Sequence, residues 1–165
     1  MVVHLVAALV AGALAFTAPD GWRQSPSGST MRVAEFVLPR AAGDVEDGLL
    51  VVYYFGGTGG SVEDNIKRWI GQVQQPDGRP STAVAKREAR TVNGLALTLV
   101  DVSGTYVAEL APGSARRNNR PNFRLRAGVV QTPKGPYFVK LTGPEKTIAR
   151  WDGAFAQFVG SFKYQ

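Results

Sequence analysis

The chain has 165 residues, of which 44% are hydrophobic, and this length and composition predict a single domain with one core. Nineteen lysines and arginines against thirteen acidic residues leave a net charge of +6, which favours anionic partners without specifying one. The absence of cysteine excludes disulfides, thiolate metal sites and cysteine nucleophiles, so the fold does not depend on the redox compartment.

Residues 1–15 predict an export signal. They form an apolar run ending in Ala13-Leu14-Ala15, a small-residue pattern that a signal peptidase accepts. The run is short and has no basic residue apart from His4, so a truncated start and a buried N-terminal segment remain as alternatives. It is also shorter than the roughly 20 residues that span a bilayer. We therefore expect a protein exported to the periplasm or medium, whose single domain spans residues 16–165.

The first half of this domain predicts two strands and a helix. Residues 31–38 and 49–55 are β-branched and aromatic runs of the kind that form paired strands. Ser61 stands three residues before Asp64 and approximates a capping box after the glycine-rich residues 56–60. Apolar residues then recur at helical spacing as far as Val73, which predicts a helix ending at the turn of residues 76–78.

The second half predicts two hairpins and a terminal helix. Asn93-Gly94 is a strong hairpin signal between residues 86–92 and 95–100, and the charges on the first of these strands are typical of a sheet edge. A short strand at 105–110 and a surface loop at 111–122 are expected before the second hairpin, which has its turn at 132–135. Residues 144–162 carry the apolar stripe of an amphipathic helix. These elements predict an α+β domain.

The closing segment, residues 128–164, resembles the C-terminal half of the photosystem II extrinsic protein P (PsbP) family and its bacterial lipoprotein relatives. The likeness lies in Gly135-Pro136-Tyr137 at the start of an apolar strand, in Trp151, and in the terminal Ser161-Phe162. The segment FGGTGGSVEDNIKRWIGQ also resembles a motif of uncharacterised exported bacterial proteins. The resemblance implies an antiparallel β-sheet with two main helices packed on it. Because the family includes photosystem subunits, secretion chaperones and a GTPase-binding protein, it also implies a non-enzymatic binding or assembly module.

Residue types that carry common catalytic chemistry are scarce. The only histidine, His4, lies in the predicted signal, so the mature domain would lack a histidine base, a histidine zinc ligand or a histidine-dependent triad, and we expect no cofactor or metal. Asp44, Glu46 and Asp47 form an acidic cluster that a calcium site or a glycosidase could use. Their spacing matches no known metal-binding loop, and a solvated turn is the preferred interpretation.

Two segments are candidate anion-binding sites. Gly57, Gly59, Gly60 and Ser61 precede a helix N-terminus, where free N–H groups could bind an anion, although a tight strand-to-helix turn is the preferred interpretation of these glycines. The second segment concentrates five arginines, a residue type that pairs with carboxylates and phosphates, and could form an anion-binding patch or a solvated loop. These are Arg116, Arg117, Arg120, Arg124 and Arg126.

The sequence therefore predicts a non-enzymatic, extracytoplasmic binding or assembly module whose partner is a protein or another anionic surface. A carboxylate-based hydrolase is the alternative from another class, and it would require a deep pocket joining two acidic side chains. A nucleic-acid or polyanion binder would require aromatic residues interleaved with the basic ones. Only Phe123 meets that condition, so we do not expect a nucleic-acid partner. Nothing in the sequence predicts the oligomeric state.

Overall fold

A computed structural model describes residues 12–165 of the chain. A short 3-10 helix, Ser81–Ala83, lies between the fifth and sixth strands. The other elements, in chain order, are β1 Leu14–Ala15, β2 Arg23–Ser25, β3 Arg32–Leu38, β4 Gly48–Tyr54, α1 Val62–Gly71, β5 Val73–Gln74, β6 Lys86–Val92, β7 Leu95–Tyr106, β8 Arg120–Thr132, β9 Gly135–Pro144, α2 Glu145–Arg150, α3 Asp152–Gly160 and β10 Lys163–Tyr164.

The strands form one large antiparallel sheet and one small one. In the large sheet the order is β2-β3-β4-β9-β8-β7-β5, and β6 pairs with β7 on the same side as β5. Strands β1 and β10 pair separately and bring the two ends of the described chain together. This architecture confirms the predicted α+β fold with an antiparallel sheet.

The helices cover opposite faces of the large sheet and make two separate cores. Helix α1 lies over β7 and β8, where Ile66 and Trp69 pack against residues such as Leu125 and Phe138. Helices α2 and α3 cover the other face with a larger core that is rich in aromatic rings, including Phe155, Phe158 and Phe162. Because α1 is short, the same face of β3 and β4 is left open, and Val33 and Leu49 are exposed there.

Local sequence signals account for several of these elements. Asn93 and Gly94 both have positive φ, 48° and 79°, as a type I′ hairpin turn requires, and they join β6 to β7 as predicted. Ser61 caps α1, because its hydroxyl accepts a hydrogen bond from the Asp64 amide at 3.1 Å. The charged strand β6 lies at the sheet edge, and all of its residues except Val92 are exposed.

Three boundaries differ from the predictions. The terminal helix is broken at Trp151 into α2 and α3, and the Trp151 indole N–H donates to the Pro39 carbonyl at 2.8 Å across the domain. Of the predicted strand at 105–110, only Thr105 and Tyr106 lie in a strand, as the end of the long β7, whose register shifts between Gly104 and Tyr106. Helix α1 stops at Gly71, and Val73 belongs to β5.

Most of the predicted export signal, residues 1–11, lies outside the described residues. The end of that segment belongs to the fold, since Leu14 and Ala15 pair with Tyr164 and Lys163. The Leu14 side chain is buried against the larger core. Cleavage after Ala15 would therefore remove β1. Within residues 12–165, no helix has the length and apolar character needed to cross a membrane.

Candidate functional site

The open part of the sheet face forms a cleft of about 940 Å³. Strands β4 and β9 make its floor, α1 makes one wall, and the segment from Ala108 to Asn118 makes the other. We call it the basic cleft, because its lining contains five cationic side chains and three acidic ones. The cationic side chains are Arg32, Arg68, Arg117, Arg120 and Lys140, and the acidic ones are Glu46, Asp47 and Glu109.

Lys140 lies at the floor of the basic cleft, in the middle of the sheet. Its neighbours in the strand register are Val51 on β4 and Ala127 on β8, so the lysine lies between two apolar residues. Its ammonium donates to Gln72 Oε1 at 2.6 Å and to the Tyr106 hydroxyl at 2.8 Å, both of which are neutral. Burial lowers the pKa of Lys140 from its usual 10.5 to about 8, with a further contribution from the charge of Arg68.

The acidic residues of the cleft are already bound to arginines. Glu46 pairs with Arg120 at 2.9 Å and Glu109 lies 3.9 Å from Arg117, and Asp47 is bound by Arg40 just outside the cleft. The Asp47 pKa is lowered, chiefly because its carboxylate accepts the Arg40 backbone N–H. In the part of the chain that the structure describes, no carboxylate lies within 4 Å of the Lys140 or Arg68 cationic nitrogens.

Two stacked aromatic pairs line the cleft near Lys140. The Tyr53 and Phe55 rings lie 5.8 Å apart at an interplanar angle of 15°, and the Tyr106 and Phe123 rings lie 5.9 Å apart at the same angle. Burial raises the pKa of Tyr106 to about 12 and also raises that of Tyr53. Both hydroxyls therefore stay protonated at neutral pH and can donate hydrogen bonds to a ligand.

The five predicted arginines are divided between two faces of the sheet. Arg117 and Arg120 line the basic cleft, and Arg116 lies beside them on the exposed segment. Arg124 and Arg126 lie on the opposite face, because a register shift and the positive φ of Asn122, 56°, interrupt the alternation of β8 between Arg120 and Phe123. There the two side chains are only 15% and 17% exposed.

Arg124 and Arg126 form a structural ion cluster with two aspartates. Arg124 donates to both carboxylate oxygens of Asp101, through Nη2 at 2.7 Å and Nε at 2.8 Å, and donates to Asp152 through Nη1 at 3.0 Å. Arg126 binds Asp152 at 2.9 Å and lies 4.4 Å from the centre of the Phe155 ring. The hydrogen bonds to Asp101 hold the Arg124 pKa well above its usual value. The cluster ties the first turn of α3 to the sheet.

Asp101→Ala is expected to lower the free energy of unfolding by about 2 kcal/mol, because it leaves a mostly buried guanidinium without its bidentate partner. Urea unfolding of the variant, compared with the exposed control Asp20→Ala, measures the effect. If both variants unfold at the same urea concentration as the wild type, the cluster does not stabilise the fold.

Comparisons with known proteins are informative at the level of three-dimensional structure. No protein-family model matches the chain, and no curated protein sequence matches it. PA94 from Pseudomonas aeruginosa, a protein of unknown function, superposes with a TM-score of 0.52 and 17% identity over 90% of each chain. Cyanobacterial PsbP (CyanoP) from Synechocystis sp. PCC 6803 superposes with a TM-score of 0.53 and 15% identity, over 92% of this chain and 86% of that one. The chain has a PsbP-like fold.

Identities of 15% and 17% show the PsbP-like fold alone. The fold predicted from the resemblance of residues 128–164 is therefore confirmed, whereas binding residues have to be argued from this chain. Within the PsbP-like fold of this chain, the basic cleft is a large concave feature that combines a largely buried lysine with aromatic rings.

The glycine-rich turn before α1 has a structural role in this PsbP-like fold. Gly59 has a φ of 120°, and a Cβ there would come within 2.7 Å of the Phe138 ring. Gly57 contacts Gly135 of the neighbouring hairpin, and the Gly59 carbonyl accepts a hydrogen bond from Asn65 at 2.9 Å. These contacts, with the Ser61 cap, explain why Gly57, Gly59, Gly60 and Ser61 stand here. Their role as an anion site remains a prediction.

The acidic residues before β4, Asp44, Glu46 and Asp47, each bind a different partner. Asp44 accepts a hydrogen bond from the Thr147 hydroxyl, while Glu46 and Asp47 bind arginines. Among residues 12–165 there is no group of three side chains placed to hold a metal ion. These three carboxylates therefore connect the loop to α2, to β8 and to the segment that follows β3 rather than converging on one point.

The sequence interpretation missed Lys140 and Arg68. A signal was present for Lys140, because it is the only charged residue in the apolar run 137–142 that follows the predicted hairpin turn, and it shares its face with Phe138. A charged residue in the middle of a buried strand is unusual unless it is paired or functional. Arg68 gave no such signal, because arginines on the polar side of an amphipathic helix are common.

Proposed function

We propose that this protein is a non-enzymatic binding module and that the basic cleft binds an anionic group of its ligand, with Lys140 as the main contact. The observation that carries the proposal is the position of the Lys140 ammonium, which is largely buried at the cleft floor and held only by neutral partners. A strongly perturbed lysine in a large cleft is typical of a functional position.

An anion would find this floor preorganised. Arg68 lies near enough to affect the Lys140 pKa, and neither cation would have to leave a carboxylate partner in order to bind a ligand. Hydrogen bonds between charged groups are shorter and stronger than neutral ones, and more so where water is excluded. Binding would also relieve the burial cost of Lys140, because a neighbouring negative charge favours the ammonium form.

The arginines at the rim of the basic cleft are placed to attract an anionic ligand over a distance. Arg116, Arg117 and Arg120 lie on or beside one wall. Glu109 and Glu46 offset the charges of Arg117 and Arg120, so the three arginines leave a net positive charge at the mouth that comes from Arg116. Such long-range attraction raises association rates and weakens with salt.

The hydrolase alternative gains no support from the cleft. Carboxylate catalysis requires a pair of acids with different pKa values, one of which stays protonated near neutral pH. Glu46, Asp47 and Glu109 each face an arginine, and the Asp47 pKa is lowered, not raised. The environment of these acidic residues therefore supports a binding role for the cleft rather than a hydrolase activity.

The binding role is tested by replacing Lys140 with glutamine, which removes the charge and keeps a polar side chain. Affinities for acetate, benzoate and inorganic phosphate are measured by NMR titration of the wild type, Lys140→Gln and the exposed-lysine control Lys146→Gln. For each anion that binds the wild type, we expect Lys140→Gln to lower the affinity by at least about tenfold, since a hydrogen bond to a charged group contributes about 1.5–3 kcal/mol. Equal affinities for wild type and Lys140→Gln would contradict the proposal.

We also propose that the module acts outside the cytoplasm, on the basis of the predicted export signal. Mass spectrometry of protein from the native host is expected to find a mature chain beginning near Phe16 in the periplasm or medium. Recovery of the intact chain, beginning at Met1, from the cytoplasm would contradict export.

A further inference from the structure

We propose that the ligand of the basic cleft is a small planar aromatic carboxylate, with its carboxylate against Lys140 and Arg68 and its ring against Tyr53 and Tyr106. This inference rests on the proposed anion-binding function and adds the size, shape and charge of the ligand. Three features of the cleft support it.

The first feature is the depth of Lys140. Its ammonium lies on the sheet floor between Gln72, at the end of α1, and Tyr106 of β7, so a ligand must project between these elements to reach it. A volume of about 940 Å³ falls in the range of small-molecule pockets, roughly 300–1,000 Å³. A flat protein surface would cover the mouth without reaching this cation, whereas a small molecule fits inside.

The second feature is the arrangement of aromatic rings around Lys140. The Tyr106 ring centre lies 5.1 Å from Nζ, and Tyr53 is near enough for its charge to raise the Tyr106 pKa. Each tyrosine is already stacked on a phenylalanine, so its ring orientation is fixed before a ligand binds. A planar aromatic ring bound beside them makes oriented ring–ring contacts in addition to burying apolar area. An aliphatic ligand buries area but makes no such contacts.

The third feature is the character of the polar groups. Lys140 and Arg68 have only N–H donors, and the two tyrosine hydroxyls are protonated, so the groups at the floor offer donors to a ligand that accepts. An ionised carboxylate is acceptor-only and carries one negative charge. Desolvating a doubly charged phosphate beside Val51 and Leu49 would cost much more free energy than desolvating a carboxylate there, because the cost rises with the square of the charge.

The test compares an aromatic carboxylate with ligands that differ from it in charge or in ring type. The probe is 2-naphthoate, and its controls are 2-naphthalenemethanol, which lacks the charge, cyclohexanecarboxylate, which lacks the aromatic ring, and 2-naphthyl phosphate, which carries a second charge. Isothermal titration calorimetry at pH 7 gives the affinities. We expect 2-naphthoate to bind at least about tenfold more tightly than each control, since 1.4 kcal/mol corresponds to that factor.

Variants of the protein assign each preference to its residue. Lys140→Gln should remove the preference of 2-naphthoate over 2-naphthalenemethanol, and Tyr106→Leu should remove its preference over cyclohexanecarboxylate. Tyr106→Phe keeps the ring and should keep the aromatic preference. If Tyr106→Leu fails to fold, Tyr53→Leu replaces it, and Lys146→Gln should behave as wild type in every titration.

The outcomes separate this inference from the function on which it rests. If cyclohexanecarboxylate or 2-naphthyl phosphate binds as tightly as 2-naphthoate and Lys140→Gln weakens them all, the anion site stands and the aromatic carboxylate is wrong. If the binding of acetate or phosphate depends on Lys140 but that of 2-naphthoate does not, the anion site again stands and the aromatic carboxylate is wrong. If no anion depends on Lys140, both proposals are wrong.

Discussion

Lys140→Met is expected to make the folded protein more stable at pH 7, by about 2 kcal/mol. The folded state holds the Lys140 pKa at about 8 against the usual 10.5, a difference that corresponds to about 3 kcal/mol when the lysine is protonated. Methionine fills the same space without a charge, and the loss of the hydrogen bond to Gln72 offsets part of the gain. A stabilising substitution in a binding site is typical of a residue kept for function.

The pH dependence of this gain has a definite sign. Between pH 8 and pH 10.5 the unfolded state binds the Lys140 proton more tightly than the folded state, so wild-type stability rises with pH in that window. Lys140→Met lacks this dependence. The difference in free energy of unfolding between Lys140→Met and the wild type should therefore be largest at or below pH 7 and should shrink between pH 8 and pH 10. Urea unfolding at each pH measures it, with Lys146→Met as the exposed control. Parallel pH profiles for the wild type and Lys140→Met would show that Lys140 is well solvated.

Phe158→Ala is expected to lower the free energy of unfolding by about 3–5 kcal/mol. The Phe158 ring is fully buried in the core under α2 and α3, with ring centres of Trp22, Phe162 and Phe16 at 5.1, 5.2 and 5.3 Å. Alanine would remove these contacts and leave a cavity that the sheet cannot fill. Thermal and urea unfolding measure the loss, and Phe158→Leu should show a smaller one.

The same variant also separates the two faces of the sheet. Phe158 lies on the face opposite Lys140, so the fraction of Phe158→Ala that remains folded should bind anions with wild-type affinity. A loss of binding in folded protein would show that the cleft depends on the α3 side of the sheet. An unchanged unfolding midpoint would contradict the role of Phe158 as the centre of this core.

The elements that could be predicted from the sequence are those decided by local chemistry. Asn93-Gly94 dictates its turn because both residues accept positive φ, and Ser61 fixes the start of α1 by bonding an amide three residues ahead. The break at Trp151 could not be predicted in this way. There the indole binds a carbonyl on the distant Pro39, and Asp152 is held by arginines of β8.

The candidate site was harder to predict, because it depends on which parts of the chain meet. The five neighbouring arginines suggested one patch, but the irregularity of β8 at Asn122 leaves Arg124 on the face that α3 covers, while Arg120 pairs with Glu46 at the cleft. Alternation within β9 places Lys140 on the same face as Phe138, and this much could be read from the sequence. That α1 covers Phe138 but leaves the cleft beside it open follows from long-range packing.

The division of the interior into two cores has a consequence for how this protein can change. Most of the buried aromatic area lies under α2 and α3, whereas the cleft residues Tyr53 and Lys140 lie on the far side of the sheet. Substitutions at well-separated positions usually contribute additively to stability. Cleft residues can therefore be randomised in a library while the aromatic core keeps the variants folded. The same separation would let natural selection alter ligand preference without rebuilding the domain.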